Sequence, residues 1–215
     1  FRASPSLHLY GNVGRGFETP TFTELSYRPP CGTPPPVGCV ETGLNTDLKA
    51  SRSRHAEIGA KWKIASGHRL DVAVFDIETQ DEIVTNTNTG GRTTFKNAGR
   101  TSRRGGELMY TGQFVESLRG TLSLTSLKAR FDEPFVSGSG ATAVNIPVGN
   151  RLPGTPERSA FAELVWAPKA AWGGFNAGAE VIHTGKLYVN DANTDAAPAV
   201  TLLNLRAGFE QKFGA

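Results

Sequence analysis

The chain has 215 residues, of which 20% are charged and 38% are apolar, and its net charge is +3. This composition argues against a disordered chain, and the lack of an apolar run of about 18 residues excludes a transmembrane helix. The basic residues are scattered rather than gathered in a stripe, which argues against nucleic-acid binding. No apolar h-region follows residues 1–5, so we expect any export signal to lie outside this segment.

Period-two alternation of apolar and polar residues recurs along the chain and predicts eight β-strands. In chain order they cover about 6–15, 53–64, 68–79, 107–114, 120–131, 159–166, 175–181 and 203–210. The second is the clearest, because an apolar residue occupies every second position from Ala56 to Ile64. In the fifth, the parity of the apolar residues shifts at Leu127, which suggests a β-bulge.

The connections between these strands alternate in length. Residues 65–68, 115–118 and 167–173 form short turns, whereas 16–52, about 80–92, 132–157 and about 185–199 are long and polar. Short turns on one side and long loops on the other are typical of an outer-membrane β-barrel. The sequence therefore favours an all-β fold, an antiparallel transmembrane β-barrel segment of about eight strands.

Aromatic residues give a second indication, because they gather near the short-turn ends of the strands. These residues are Trp62, Phe114, Trp166, Trp172, Phe175, Phe209 and Phe213. A girdle of rings at one bilayer interface explains this placement. Alternation by itself does not decide which face lies inside, so a soluble sandwich or a lipocalin-like barrel stays open on that pattern alone.

Cys31 and Cys39 are the only cysteines, and they enclose a short loop rich in Pro and Gly. We predict a disulfide between them, which implies an oxidising compartment. The alternative is two free thiols in a cytosolic loop. No His lies close enough in sequence to complete a zinc site.

Several segments, in order, resemble motifs of TonB-dependent receptors. Residues 15–25, Arg-Gly-Phe-Glu-Thr-Pro-Thr-Phe-Thr-Glu-Leu, resemble one such motif. Residues 43–53 resemble the family's Asn-Pro-Asp-Leu-Lys-Pro-Glu box, with Thr46, Ala50 and Ser51 in place of Pro, Pro and Glu. Further similar segments are 81–84, 95–99, 105–108 and 149–156.

This resemblance implies a 22-stranded barrel around a plug domain. Residues 1–215 would then form one partial barrel domain, and we expect the plug, the TonB box and the final strands to be absent. It also implies an outer-membrane receptor of a Gram-negative bacterium that imports a ferric siderophore, or a similar nutrient complex, with energy from TonB through the plug. Outer-membrane lipid and lipopolysaccharide are further expected partners. A self-contained eight-stranded barrel and a soluble lipocalin-like carrier are the alternatives.

Ferric siderophores are often anionic, so arginines near the long loops are candidate ligand contacts. Aromatic side chains in the same loops would pack against apolar parts of a siderophore. The candidate residues are Arg15, Phe17, Phe22, Tyr27, Arg100, Arg103, Arg104, Arg151 and Tyr188. Taken singly, each arginine is more simply explained as a surface charge or a contact to lipopolysaccharide phosphate.

The sequence contains no catalytic constellation, and we predict neither an enzyme nor a cofactor. His8 and His55 fall on the polar face of neighbouring predicted strands, but without a placed carboxylate they make a weak metal site. Residues 17–45 contain no His, which argues against a haem cargo under the family resemblance.

Overall fold

The computed structural model describes residues 1–31, 35, 37–168 and 174–210. It contains fourteen strands, one short α-helix, α1 (Phe22–Leu25), and one 3-10 turn (Gly140–Thr142). The strands are β1 (Leu7–Glu18), β2 (Ser51–Ala65), β3 (His68–Gln80), β4 (Ile83–Thr89), β5 (Arg92–Asn97), β6 (Thr101–Val115), β7 (Leu118–Phe131), β8 (Phe135–Ser137), β9 (Val144–Ile146), β10 (Arg158–Trp166), β11 (Phe175–Thr184), β12 (Leu187–Tyr188), β13 (Ala196–Ala197) and β14 (Val200–Phe209).

The eight predicted strands are confirmed as one antiparallel sheet, in the order β1-β2-β3-β6-β7-β10-β11-β14. The six remaining strands form three hairpins within the long loops: β4 with β5, β8 with β9, and β12 with β13. In the described part of the chain, β1 and β14 do not pair with each other. Both closed-barrel alternatives are therefore wrong, because an eight-stranded barrel needs that pairing.

The two faces of the sheet differ in chemistry. The register aligns one apolar row across six strands, and the face that bears it is called the outer face. The row consists of Leu9, Ala60, Val72, Leu108, Leu124 and Ala160. The opposite, inner face bears ion pairs such as Arg206 with Glu163. Bare aliphatic side chains on one face and charged pairs on the other are what a barrel wall requires between lipid and lumen.

Aromatic rings gather on the outer face beside the short turns, as predicted. The Trp166 and Phe175 ring centroids lie 6.0 Å apart, and those of Phe175 and Phe209 lie 5.1 Å apart. Tyr110 and Phe114 form a similar contact at 6.3 Å. Trp172 and Phe213 lie outside the described residues. The girdle therefore contains at least these five rings.

The predicted bulge at Leu127 is wrong, because β7 keeps its register with β6 through that position. Leu127, Ala129 and Phe131 lie on the inner face, where they join a cluster that includes loop residues. Register shifts occur instead at Ile64 and Phe114, directly beside short turns. Apolar residues on a polar face thus mark the place where loops cover the sheet.

The Cys31–Cys39 disulfide is confirmed, with the two Cα atoms 6.0 Å apart. It closes part of the long loop between β1 and β2. Among the described residues, no helix is both long and apolar enough to cross a membrane.

The segments that resemble family motifs tie the loops together. Thr21 and Glu24 form a capping box at the start of α1, and the Thr21 amide lies 2.7 Å from the Glu24 carboxylate. Asn45 is 4% exposed, and its side-chain amide donates to the Phe95 carbonyl at 3.1 Å. The Asn97 side chain bonds both the amide and the carbonyl of Lys49, at 2.9 and 3.0 Å. These residues therefore brace the backbone of the loops.

Candidate ligand-binding site

Three long loops converge on the inner face at one end of the sheet, which we call the long-loop end. Phe131 of β7 is fully buried there, beneath Ile146 and Leu152 from the loop that follows. Ala98 and Val84, from the loop between β3 and β6, pack against the same cluster. The loops thus form a second layer over the inner face, while the outer face stays bare.

Hydrogen bonds join two of these loops. The Asn150 side chain donates to the Asp191 carbonyl at 2.9 Å. Asn193 accepts from the Arg151 amide at 2.7 Å and donates to the Arg151 carbonyl at 2.9 Å. Asn193 itself has a φ of 57°, a left-handed conformation that Asn tolerates better than most residues. Residues 149–156, which resemble a family motif, therefore position the 185–199 loop.

Two adjoining cavities of about 500 and 440 Å³ open between the loops. All three long loops contribute to the wall that the two cavities share. The shared residues are Asn86, Thr87, Asn88, Ser137, Asn190 and Asp191. This wall is polar and rich in amide and hydroxyl groups, so it is suited to hydrogen-bonding a small polar group.

Three charged residues line these cavities, and two of them form a pair. Arg103 approaches Glu82 with both guanidinium nitrogens, at 2.7 and 3.2 Å. Thr79 and Thr101 hydroxyls lie 3.4 and 3.2 Å from Arg103 Nη1. The third charged residue is Asp191. The lining therefore carries a net negative charge.

Burial raises the pKa of the Asp191 carboxyl, and a hydrogen bond from Ser137 opposes that shift. Lys96 lies nearby in the loop layer, where its ammonium donates to the Val136 carbonyl and sits 5.9 Å from the centre of the Phe135 ring. Burial lowers the pKa of this Lys96 ammonium. Both shifts follow from the partial burial of these groups in the loop layer.

Asn86 occupies an unusual position in the shared wall. The β4–β5 register passes from Thr85 to Thr87, so Asn86 is the extra residue of a bulge. Its carbonyl accepts from the Gly138 amide at 3.0 Å, which fixes it against the next loop. The residue is 8% exposed, and its side-chain oxygen has no hydrogen-bond partner in the part of the chain that the structure describes. Bulges often re-aim a side chain in this way.

Of the predicted ligand contacts, Arg103 alone is among the residues that line these two cavities. Arg151 lies in the same loop layer, but its guanidinium pairs with Glu157 at 3.0 Å. Arg100 pairs with Glu133 at 3.1 Å. Their predicted role in ligand binding stays a prediction, and each would have to exchange an existing partner for the ligand.

Other predicted contacts lie elsewhere. Arg15 and Phe17 pair with Arg54 and Arg52 on the outer face. Arg104 is also on the outer face, 2.9 Å from Asp76. These three side chains therefore point away from the loop cavities.

The remaining aromatic candidates lie in loops. Phe22 is 76% exposed on α1. Tyr27 stacks under the Arg92 guanidinium at 5.4 Å, and the Lys186 ammonium lies 4.7 Å from the Tyr188 ring centre. Both tyrosines therefore already have a cationic neighbour, and no ring from this group lines the shared wall.

His8 and His55 both lie on the inner face, opposite Lys61 and Gly14 respectively. The two histidines are therefore displaced by six residues along the paired strands, a distance of roughly 20 Å. Within the described ranges, no three His, Cys, Asp or Glu side chains are grouped to hold a metal ion.

Sequence reasoning missed Asn86, Ser137 and Asp191. Each lies in a polar stretch for which the sequence predicts a loop, and such stretches are rich in Asn, Asp and Ser for turn formation alone. The bulge that singles out Asn86 depends on pairing between β4 and β5, which no alternation signalled.

Comparison with known proteins agrees with this architecture. Residues 1–214 match the family described as TonB dependent receptor-like, beta-barrel. The ferric yersiniabactin uptake receptor FyuA from Yersinia pestis superposes with a TM-score of 0.72 at 17% identity, over 99% of this chain and 29% of that one. The siderophore receptor PiuA from Acinetobacter baumannii gives 0.70 at 20% identity, over 97% and 28%.

The copper transporter OprC gives a TM-score of 0.70 at 18% identity, over 98% of this chain and 30% of that one. The chain thus spans less than a third of each of these proteins, and at such identities the likeness shows the fold. Barrels of this family are outer-membrane proteins of Gram-negative bacteria. From the family match and the open antiparallel wall together, the chain belongs to the TonB-dependent receptors, within their β-barrel domain.

Proposed function

We propose that the full-length protein is an outer-membrane receptor that binds a ferric siderophore, or a similar scarce nutrient complex, and imports it with energy supplied through TonB. One observation carries this proposal: the long loops fold over the inner face and enclose polar cavities there, above an otherwise open wall. A nutrient caught by such loops would be held at the mouth of the lumen. Solved siderophore receptors of the same fold support the choice of cargo.

The site supports binding rather than catalysis. Its polar groups are amides, hydroxyls, one ion pair and one carboxylate, and no His is among the described residues that line it. The energy for import would come from outside this domain, through the plug. We therefore assign these residues to recognition and release of cargo.

The outer face supports a location in the outer membrane. At the long-loop end, above the aliphatic row, it bears seven exposed cations. They are Arg15, Arg52, Arg54, Arg104, Lys128, Arg130 and Arg158. We call this group the cationic belt, and the carboxylates of Asp76, Glu78 and Asp132 share that part of the face.

Guanidinium groups bind phosphate in a bidentate manner. A cavity of about 530 Å³ lies beside the belt, lined in part by Arg15, Arg52 and Arg54. Lipopolysaccharide phosphates are the partner that this charge fits best in an outer leaflet. The belt therefore accounts for arginines that face away from the cargo cavities.

The test is iron uptake by iron-starved cells with and without the full-length gene, supplied with a panel of radio-iron siderophores. Loss of uptake for one siderophore upon deletion would support the proposal and identify the cargo. Unchanged uptake for every siderophore would reject iron, and copper, cobalamin and oligosaccharides would be tested next. Fractionation of the protein as soluble without detergent would overturn the membrane location.

A further inference from the structure

Two side chains in the wall between the loop cavities end in hydrogen-bond acceptors. Asn86 and Asp191 belong to that wall, and we call the space between them the Asn86–Asp191 pocket. The Asn86 side-chain oxygen is buried and has no partner among the described residues. Because a buried acceptor is costly unless it is bonded, a ligand that offers a donor here gains more than it would on an exposed surface.

The backbone holds Asn86 in place on both sides. Its carbonyl is bonded by Gly138, and the next residue, Thr87, is bonded to Thr94 through two contacts, at 2.7 and 3.2 Å. A bulged residue fixed in this way cannot easily turn its side chain out to solvent. The pocket is therefore preorganised, and little conformational freedom would be lost on binding.

The charges of the lining argue against an anionic ligand at this point. Arg103 is already paired in a bidentate manner with Glu82, and the remaining charged group of the lining is the Asp191 carboxyl. An anion placed here would meet a like charge in a partly buried setting, where the repulsion is stronger than in water.

We propose that the Asn86–Asp191 pocket binds a hydroxyl, amide or amine group of the cargo, that is, a hydrogen-bond donor without negative charge. This inference rests on the proposed import function and specifies the cargo chemistry at that site. It differs from the expectation drawn from the arginines alone, which favoured an anionic siderophore. The Asn86 oxygen would accept one hydrogen bond, and the Asp191 carboxyl would accept another.

The experiment uses the full-length receptor in iron-starved cells and four radio-iron probes. Three are ferric complexes of one linear trihydroxamate whose tail ends in a free amine, an N-acetyl group or an N-succinyl group. They share an iron centre and differ in a tail that is cationic, neutral or anionic. The fourth probe is an anionic ferric tris-catecholate. Uptake is normalised to the amount of receptor in the outer membrane.

Two variants and a control separate the outcomes. Asn86→Leu removes the acceptor, whereas Asn86→Asp keeps an oxygen in nearly the same place. Asn145→Leu is the control, because Asn145 is exposed in the same loop layer and lines neither cavity. We expect the amine and acetyl probes to be taken up at lower concentrations than the succinyl probe. Asn86→Leu should raise their half-saturating concentration about tenfold, as expected for one lost hydrogen bond.

The inference would be fully supported if Asn86→Asp restores uptake and the Asn145→Leu control has no effect. The inference would be overturned if the receptor prefers the anionic probes and Asn86→Leu does not change that preference. The proposed import function would then still stand. Failure to take up any siderophore, in this series or the wider panel, would reject the import function and this inference with it.

Discussion

Arg103 and Glu82 form a bidentate ion pair at the base of the loop cavities, with guanidinium-to-carboxylate distances of 2.7 and 3.2 Å. The pair joins β6 of the sheet to the start of the β4–β5 hairpin. It therefore fixes the hairpin that presents Asn86 against the inner face.

We predict that Arg103→Ala destabilises the loop layer, because the Glu82 carboxylate would remain in place with only 18% of its side chain exposed. Removing one partner of a partly buried pair should cost roughly 1–2 kcal/mol. The measurement is the unfolding temperature of the full-length receptor in detergent, followed by its heat-dependent gel mobility. The control is Arg100→Ala, since both members of the Arg100–Glu133 pair are nearly half exposed and should contribute little. Equal losses in the two variants would contradict the prediction.

Neighbouring glycines on β6 offer a second test, because their hydrogens point to opposite faces. A Cβ on Gly105 would lie 2.6 Å from both the Phe75 ring and the Ser126 carbonyl oxygen. A Cβ on Gly106 would meet nothing closer than 3.4 Å. Space for the Phe75 ring on the inner face thus depends on Gly105.

We expect Gly105→Ala to lower the free energy of unfolding by roughly 1–3 kcal/mol, as overpacking does. Gly106→Ala should be neutral or slightly stabilising, because alanine loses less backbone entropy on folding than glycine does. Urea unfolding of the full-length receptor, followed by tryptophan fluorescence, would compare them. A larger loss for Gly106→Ala than for Gly105→Ala would contradict the close approach of Phe75 and Ser126 to Gly105.

Much of the wall was predictable from the sequence, because in a strand the side-chain period of two converts directly into two faces. The same parity also indicates the face on which each arginine lies. Arg15 has the parity of Val13, and Arg104 that of Leu108, which already places both arginines on the outer face. Closeness to a long loop is therefore a poorer guide to ligand contact than the parity of a residue in its strand.

The loop layer could not be predicted from the local sequence pattern. Phe131 is apolar on a polar face because Ile146 and Leu152 cover it. Their segment is held there by hydrogen bonds to Ala129 and Phe131 of β7, and by one from Asn150 to the distant 185–199 loop. Asn86 becomes a site residue only through a bulge in a hairpin of polar residues. Such features depend on long-range packing, whereas alternation reports only the nearest neighbours along the chain.

The cationic belt leads to a third prediction, on bound lipid. Replacing Arg15, Arg54 and Arg130 together by Ala should reduce the lipopolysaccharide that co-purifies with the full-length receptor, at roughly 1 kcal/mol of binding free energy per cation. These three side chains lie in one register row of the outer face. Phosphate and lipid A analysis after detergent extraction would measure the loss.

A matched triple variant provides the control for charge. Lys61, Lys63 and Arg119 are inner-face cations, so their replacement by Ala removes the same charge from the opposite side. We expect that variant to retain its lipopolysaccharide. A similar loss from both triple variants would mean that net charge alone, rather than the belt, determines lipid binding.

Asn45 provides a fourth prediction, on loop order. Asn45→Ala would remove the hydrogen bond to the Phe95 carbonyl from a residue that is 4% exposed, at a local cost of roughly 1–2 kcal/mol. The loop between β1 and β2 should then be cut faster by protease in intact cells, most of all between Tyr27 and Asp47. Asn145→Ala, in an exposed position of another loop, should leave the cleavage rate unchanged. Equal rates in the two variants would show that Asn45 does not hold this loop.

The last prediction concerns pH. Because burial raises the pKa of Asp191, the native state holds this proton at pH values where the unfolded chain has released it. Stability therefore falls as pH rises from the ordinary carboxyl pKa, about 4, through the raised pKa, and the contribution is fully lost above it. Asp191→Asn has no proton to release, so its loop layer should keep the same stability across this range.

The measurement is the difference in unfolding temperature between the wild-type receptor and the Asp191→Asn variant, at several pH values between about 4 and 8. Titration of all other groups cancels in this difference. We expect the variant to gain in unfolding temperature relative to the wild type as pH rises, because only the wild type must hold a buried carboxylate. A cargo that donates a hydrogen bond to Asp191 would reduce that gain, because it stabilises the ionised form. A difference that stays constant with pH would show that the carboxyl is as well solvated in the folded receptor as in the unfolded chain.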